Sequence, residues 1–336
     1  MFTYLVRRFL MALITIVAIS ALAFIIIEIP PGDQVERYQR LYSTYHDGMS
    51  PDPEHVELLR KYLGLDRPQH IRYLMWAGNL LQGDLGLSIQ TRTYGLEVPV
   101  KEIIGDRLWL TVALSGFTIM VTWMLAIPIG IYSAVRHHSI GDYAFTFIGF
   151  AGLAVPDFLL GLVLMYVAYA YFDQSVGGLF SSDYVDLPWS FAKTRDLVAH
   201  LWIPAIVLGT SGTASLIRIL RNNLLDELGK PYVATALSKG VSNLRVILKY
   251  PVRVAFNPLI STMAYLLPAL INGSIIVSLV LSLPTLGPVL LEAIEVEDVG
   301  LAGVIILMSG ALTVVGTFLS DIVLGIVDPR IKYTSE

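Results

Sequence analysis

Gly209-Thr210-Ser211-Gly212 is the segment of this 336-residue chain whose spacing best suits covalent chemistry. A serine set between small residues can attack a carbonyl if a histidine within hydrogen-bond reach takes its proton. The nearest histidine in sequence, His200, is eleven residues away, about 16 Å along a helix. His137 and His138 lie in another part of the chain, and the last apolar run holds no histidine. Without a base the serine is unactivated, and the glycines and Ser211 read better as packing residues. No GxxxxGK[ST] occurs, so the chain cannot cradle nucleotide phosphates by the P-loop route. The six histidines are scattered and there is no cysteine, which excludes disulfides and thiolate metal sites.

The elements that must carry the remaining polar groups are mostly apolar. The chain is 55% hydrophobic and only 15% charged, against about 25% charged for an ordinary soluble domain. With a mean hydropathy of +0.66 it cannot cover a water-facing surface, and a lipid bilayer is its natural surrounding. Six runs are long enough to span about 30 Å of hydrocarbon: Phe9–Ile27, Leu108–Val135, Ala144–Phe172, Leu201–Leu220, Pro258–Leu283 and Leu301–Val327. The expected fold class is an all-α integral membrane protein with six transmembrane helices. The first run follows Arg7 and Arg8, is too long for a signal-peptide core, and reads as an uncleaved signal anchor.

Two carboxylates fall within these runs. Asp157 follows Pro156 near the middle of the third, at a depth that costs roughly 2.5–3.5 kcal/mol on insertion scales. It either lines an aqueous path, facing a cationic or hydroxyl-rich molecule, or is buried neutral or hydrogen-bonded to a neighbouring span. Asp321, near the end of the last run, is expected to pair with Arg218 or Arg221 in a structural role. Gly273, Gly303, Gly310 and Gly316 permit close helix approach.

Positive charge sets the orientation. With the N-terminus inside, the cytoplasmic segments hold Arg7, Arg8, Arg136, Arg218, Arg221, Lys230, Lys239, Arg245, Lys249, Arg253, Arg330 and Lys332, and the short outer loops only Lys193 and Arg195. Both termini are then cytoplasmic. The basic residues follow membrane topology and form no nucleic-acid surface. Residues 1–28 form the signal-anchor span, 29–107 an extracytoplasmic helical insertion, and 108–336 a core of five spans. Within the insertion, Ser50 or Asp52 caps a helix with Pro53 near its first position, Gly64 stops it, and a second helix covers about Pro68 to Leu81.

Residues 229–258 are too polar to cross a bilayer. Gly229 suits a helix C-terminus and Pro231 the first position of a new helix, with Tyr232 to Ser238 forming about two turns. The small side chains of Ala234, Thr235 and Ala236 let another protein approach closely, and Gly240 lets the chain reverse. Leu244, Ile247 and Leu248 lie on one side of the next helix, away from Arg245, Lys249 and Arg253, as in a helix at the membrane interface.

Several segments, in order, resemble the oligopeptide/dipeptide branch of ABC importer permeases. They are YLVRRFL followed by PPGD; KYLGLDRPQHIRYLMWAGNLLQGDLGLSI; YVATALSKG; Pro284-Thr285-Leu286-Gly287; and Asp328-Pro329-Arg330-Ile331. YVATALSKG is similar to that family's EAA motif, with Ala236, Lys239 and Gly240 in register. Thr285 departs from its PGLG, and Ser278 stands where the family commonly has a glutamate, which puts a pore-lining carboxylate there in doubt.

The resemblance implies a type I importer permease forming half of a translocation pathway; Asp157, from its depth in the third run, and Ser278, at the family's glutamate position, are the candidate lining residues. It implies that Tyr232, Val233, Ala234, Thr235, Ala236, Leu237, Ser238, Lys239 and Gly240 dock onto an ATPase. The implied partners are a second homologous permease, two ATPase subunits that bind ATP and Mg, and an extracytoplasmic solute-binding protein, in a bacterial or archaeal cytoplasmic membrane. This chain itself is expected to bind no cofactor and to catalyse no reaction. Oligopeptides lead as cargo, followed by oligosaccharides, then nickel complexes or glutathione. The alternatives are an intramembrane serine protease, whose GxSG signature residues 209–212 copy without a suitable histidine, and a secondary transporter, for which the chain shows no inverted repeat.

Overall fold

The computed structural model describes residues 2–29, 32–91, 95–172, 177–262 and 275–327. Pro30-Pro31, Gly273, residues 263–274 of the expected fifth span and the Asp328-Pro329-Arg330-Ile331 ending lie outside them. The described chain is mainly helical. Its elements are α1 (Phe2–Glu28), α2 (Gln34–Tyr45), α3 (Pro53–Tyr62), α4 (Gln69–Leu81), β1 (Leu87–Thr91), β2 (Gly95–Pro99), α5 (Val100–Val135), α6 (Ile140–Ala154) and α7 (Asp157–Phe172). They continue with α8 (Phe191–His200), α9 (Trp202–Leu228), α10 (Pro231–Ser238), α11 (Asn243–Lys249), α12 (Pro251–Ala255), α13 (Ile275–Val280), α14 (Leu286–Glu295) and α15 (Val299–Val327).

Four helices are long and apolar enough to cross a membrane by themselves: Tyr4–Glu28 of α1, α5, α9 and Val299–Ile326 of α15. The third expected span is interrupted. It is two helices, α6 and α7, bent by 104° at their junction. Val155 is extended (φ −85°, ψ 127°), as a residue before proline prefers, and Pro156 brings no N–H to continue α6. At about 1.5 Å per residue each half is ~22–24 Å long, short of ~30 Å of hydrocarbon. Among the described residues the membrane crossings therefore number four, or five if the bent pair counts as one.

The contacts divide the chain into two units, to both of which α1, α5 and α15 contribute residues. One comprises residues 1–10, 112–284 and 313–336. Its hub is α9, against which α6, α7, α8, α12 and α13 pack. Leu216, Leu220 and Leu224 of α9 are buried with Ala126, Ile247, Val252 and Leu259. Gly130 lets Leu220 in: a Cβ there would stand 3.0 Å from its Cδ2.

The other unit comprises residues 11–111 and 285–312. Val100, Ile103 and Ile104 of α5 form a core with Leu286 and Val289 of α14 and Leu301 and Ile305 of α15. Asp52 caps α3 by accepting from the Glu54 N–H at 3.0 Å, Pro53 stands in its first turn, and Gly64 follows at φ +64°. Gly303 and Gly310 lie against Ile27 and Ile19 of α1, the close approach expected of them. The all-α expectation missed a hairpin: β1 and β2 pair antiparallel, with Leu87 opposite Pro99 and Thr91 opposite Gly95. Buried Ser88 in β1 donates to Asp298 Oδ2 at 2.5 Å, and Asp298 Oδ1 accepts the Leu301 N–H at 3.0 Å in the first turn of α15. One carboxylate thus both caps a long helix and anchors the hairpin.

Candidate functional site

The loop between α9 and α12 is built from punctuation residues. Helix α9 ends at Leu228, with Gly229 as its C-cap, and Pro231 occupies the first turn of α10. Proline fits there because the first N–H groups of a helix lack internal partners anyway. The Gly240 N–H donates to the Leu237 carbonyl at 2.9 Å, and Gly240 sits at φ +78° with nothing within 4 Å of where a Cβ would stand. Glycine is needed here for the backbone angle, not for space.

Helix α10 packs against the rest of the chain through little more than Val233, which is 5% exposed. Ala236 is half-buried, and Tyr232, Ala234, Thr235, Leu237, Ser238 and Lys239 are exposed. The two hydroxyls turn back on their own helix: Thr235 Oγ1 donates to Pro231 O at 2.9 Å, and Ser238 Oγ to Ala234 O at 3.0 Å. Ala234, Thr235 and Ser238 therefore offer small exposed side chains whose hydroxyl hydrogens are already used, beside the larger Tyr232, Leu237 and Lys239. Eight residues are too few to hold a helix in water alone. Its ends hold it instead, with Tyr232 Oη donating to Glu227 Oε2 at 2.5 Å. Partial burial, and then that carboxylate, push the Tyr232 phenol above its ordinary pKa.

The segment after Gly240 differs from the expected interface helix. Tyr250 (φ −114°, ψ −77°) and Pro251 divide it into α11 and α12. Its buried residues are Val246 and Ile247, whereas Leu244 and Leu248 are exposed. Ile247 joins the core built on Leu216, Leu220 and Leu224 of α9, which the local periodicity could not indicate.

The expected pairing of Asp321 with Arg218 or Arg221 is not what the structure holds. Asp321 pairs with Arg8 of α1 at 3.2 Å, and its carbonyl accepts from Tyr4 Oη at 3.4 Å. Arg221 instead forms a two-pronged pair with Asp142, Nε to Oδ1 and Nη2 to Oδ2, both 2.8 Å. Asp142 is 1% exposed and also accepts the His138 N–H at 3.0 Å. Asp142 was missed by sequence reasoning, although Ser139-x-x-Asp142 before an apolar run is a capping signal; Ser139 Oγ does accept the Asp142 N–H at 3.2 Å.

Asp157 lies not in mid-helix but at the first residue of α7, half-buried beside the break. Ser278 in α13 is fully buried. Gly209 of the GxSG segment abuts α5, where a Cβ would come within 2.9 Å of Thr122 Oγ1. His200 Nδ1 is engaged by the Asp196 carbonyl at 2.8 Å. Glycine here serves packing, as expected. No group of histidine, aspartate and glutamate able to hold a metal ion occurs among the described residues.

The fold is mainly helical, with apolar helices long enough to cross a membrane, the bent α6–α7 pair and an exposed two-turn helix after α9. The chain belongs to the family described as "Binding-protein-dependent transport system inner membrane component", which it matches over residues 126–333. Residues 1–115 match the corresponding "membrane comp, N-term" family. It is 35% identical over 334 residues to the oligopeptide transport system permease protein AppB of Bacillus subtilis (strain 168), covering 99% of this chain and 100% of that protein. It is 29% identical over 349 residues to the dipeptide transport system permease protein DppB of Escherichia coli (strain K12), covering 99% of each. It is 28% identical over 337 residues to the glutathione transport system permease protein GsiC of Salmonella choleraesuis (strain SC-B67), covering 99% of this chain and 100% of that one. A chain of the MetNI methionine ABC transporter in inward-facing conformations matches the fold, with a TM-score of 0.51 at 14% identity, over 69% of this chain and 100% of that one. This chain is accordingly a permease subunit of an ABC importer, a transport component without an ATPase site of its own. Family membership implies an ATPase and a solute-binding protein as partners.

Proposed function

We propose that this permease forms half of the pathway through which oligopeptides or solutes of similar size, such as oligosaccharides, enter a bacterial or archaeal cell across the cytoplasmic membrane. It pairs with a second homologous permease, and two ATPase subunits holding ATP and Mg dock beneath them. An extracytoplasmic solute-binding protein delivers the cargo. Both termini lie in the cytoplasm, as does α10. The observation that carries this reading is α10 itself: a proline-started, glycine-stopped helix anchored by Val233, with Ala234, Thr235 and Leu237 exposed. A short rigid plug of this kind transmits motion only when seated in a partner's groove. Closure of two ATPases on ATP then draws two such plugs together and turns the attached spans. Relatives at 29–35% identity over nearly the whole chain are named as oligopeptide and dipeptide permeases, which favours peptide cargo. Asp157, at the break between α6 and α7, is the lining residue of choice, and enclosed Ser278 the lesser candidate.

The test is uptake by the reconstituted complex with its solute-binding protein, against a panel of labelled peptides and glycans. ATP-dependent accumulation of peptides is expected, with Asp157→Ala lowering it while the ATPases stay attached. Uptake without ATP overturns the importer reading. Glycans alone being transported overturns the peptide preference, and unchanged uptake by Asp157→Ala removes that residue from the pathway.

A further inference from the structure

A cleft of about 240 Å³ runs between α6 and α9, with charged side chains at one end and apolar ones along the rest. At the charged end lie Asp142, Arg221 and Arg218. Asp142 and Arg221 satisfy each other through the two-pronged pair, so their charges cancel. Arg218, three residues earlier on α9, is exposed and has no carboxylate within ion-pair distance among the described residues. One net positive charge therefore stands at the mouth of an apolar trench. A basic side chain at the end of a span attracts the anionic lipid headgroups of the adjoining leaflet.

The trench continues along Phe150 and Leu153 of α6 and Ile217 of α9. Gly149 closes its floor, since a Cβ there would touch Ala214 at 3.4 Å. From Asp142 to Leu153 is eleven residues, about 16 Å of helix, which matches the ~15 Å hydrocarbon depth of one leaflet. We infer that this cleft is a binding site for an anionic glycerophospholipid of the leaflet facing the α6 N-terminus. Its phosphate is held by Arg218 and an acyl chain lies along Phe150, Leu153 and Ile217.

Charge chooses this occupant. A zwitterionic lipid carries an ammonium that offsets its phosphate, and a sterol brings no anion to Arg218. The site is independent of cargo and of ATPase docking, so it stands or falls apart from the proposed function.

The test uses the assembled complex in nanodiscs of mixed phosphatidylcholine and phosphatidylglycerol. Native mass spectrometry reads the retained lipid, and photoactivatable phosphatidylglycerol maps its contacts. Phosphatidylglycerol is expected to be retained preferentially and to crosslink to α6 and α9. Arg218→Gln should lower the preference about fivefold, the contribution of one basic residue at an anionic surface, while Arg218→Lys keeps most of it. Gly149→Leu, which fills the trench, should reduce retention of both lipids. Excess inorganic phosphate should not displace the bound lipid. An unchanged headgroup preference in Arg218→Gln overturns the inference, as does a photo-reactive group at Phe150 that labels only the second permease. Displacement by inorganic phosphate reduces the site to an anion contact and also overturns it.

Discussion

At the scale of the residue, burial separates the two ion pairs of the α9 unit. Asp142 is 1% exposed and fully engaged, whereas the Arg8 side chain that meets Asp321 is 45% exposed. Removing one partner of a buried pair leaves the other charge uncompensated, at a typical cost of about 3–5 kcal/mol, while an exposed pair contributes ~0–1 kcal/mol. Asp142→Ala or Arg221→Ala should therefore destabilise the complex strongly, and Asp142→Leu with Arg221→Met much less than either single change. Arg8→Gln, which leaves the 15%-exposed Asp321 without this partner, should cost less than either change at the Asp142–Arg221 pair. Thermal unfolding in detergent, run as a double-mutant cycle, checks this; additive losses would refute the pairing. Tyr232 gives a pH prediction. Its raised pKa means the contact with Glu227 contributes fully below the unfolded phenol's pKa of about 10 and is lost only as pH rises through the higher folded value. Tyr232→Phe should weaken the loop by ~1 kcal/mol, with no pH dependence between neutrality and pH ~9. Hydrogen exchange of α10 reads the change.

At the scale of the element, what the sequence disclosed was local. Pro53 and Pro231 start helices, and Gly64 and Gly240 end them, because each acts on its own backbone. α2 was equally open to reading: Asp33 caps it by accepting the Glu36 N–H at 2.7 Å, a pattern carried by Asp33-x-x-Glu36. Other features depend on distant chain. Arg8 and Asp321 are 313 positions apart, and the hairpin 87–99 is anchored by Asp298, so neither could be seen in a window of sequence. The α6–α7 break was not read from the sequence, although Pro156 removes an N–H and biases Val155 towards extended backbone; the 104° angle itself is not written in any local pattern. Gly240 supplies the prediction at this scale. Alanine there has room but not the angle, so Gly240→Ala should strain the turn by about 1–3 kcal/mol. The complex should still assemble its spans, with α10 misaligned and ATP-driven uptake reduced more than ATPase attachment. Wild-type uptake in Gly240→Ala would show that the angle of this turn does not matter for coupling.

At the scale of the whole molecule, the packed cores and the short helix α10 have different jobs in the proposed account. The hub around α9 and the core of α5, α14 and α15 are dense and apolar, as a bilayer-embedded subunit requires. Helix α10, by contrast, meets its own chain through one buried side chain and presents small residues outward. That contrast supports the proposed docking of α10 on an ATPase subunit. The absence of cysteine makes the decisive measurement clean, because a single introduced thiol is then unique in this chain. Ala234→Cys and Thr235→Cys, placed one at a time in the assembled complex, should crosslink to a cysteine scanned along the ATPase surface and block ATP-driven uptake until reduced. If neither position crosslinks to the ATPase in a complex that is assembled and transporting, α10 is not the coupling element and the account fails.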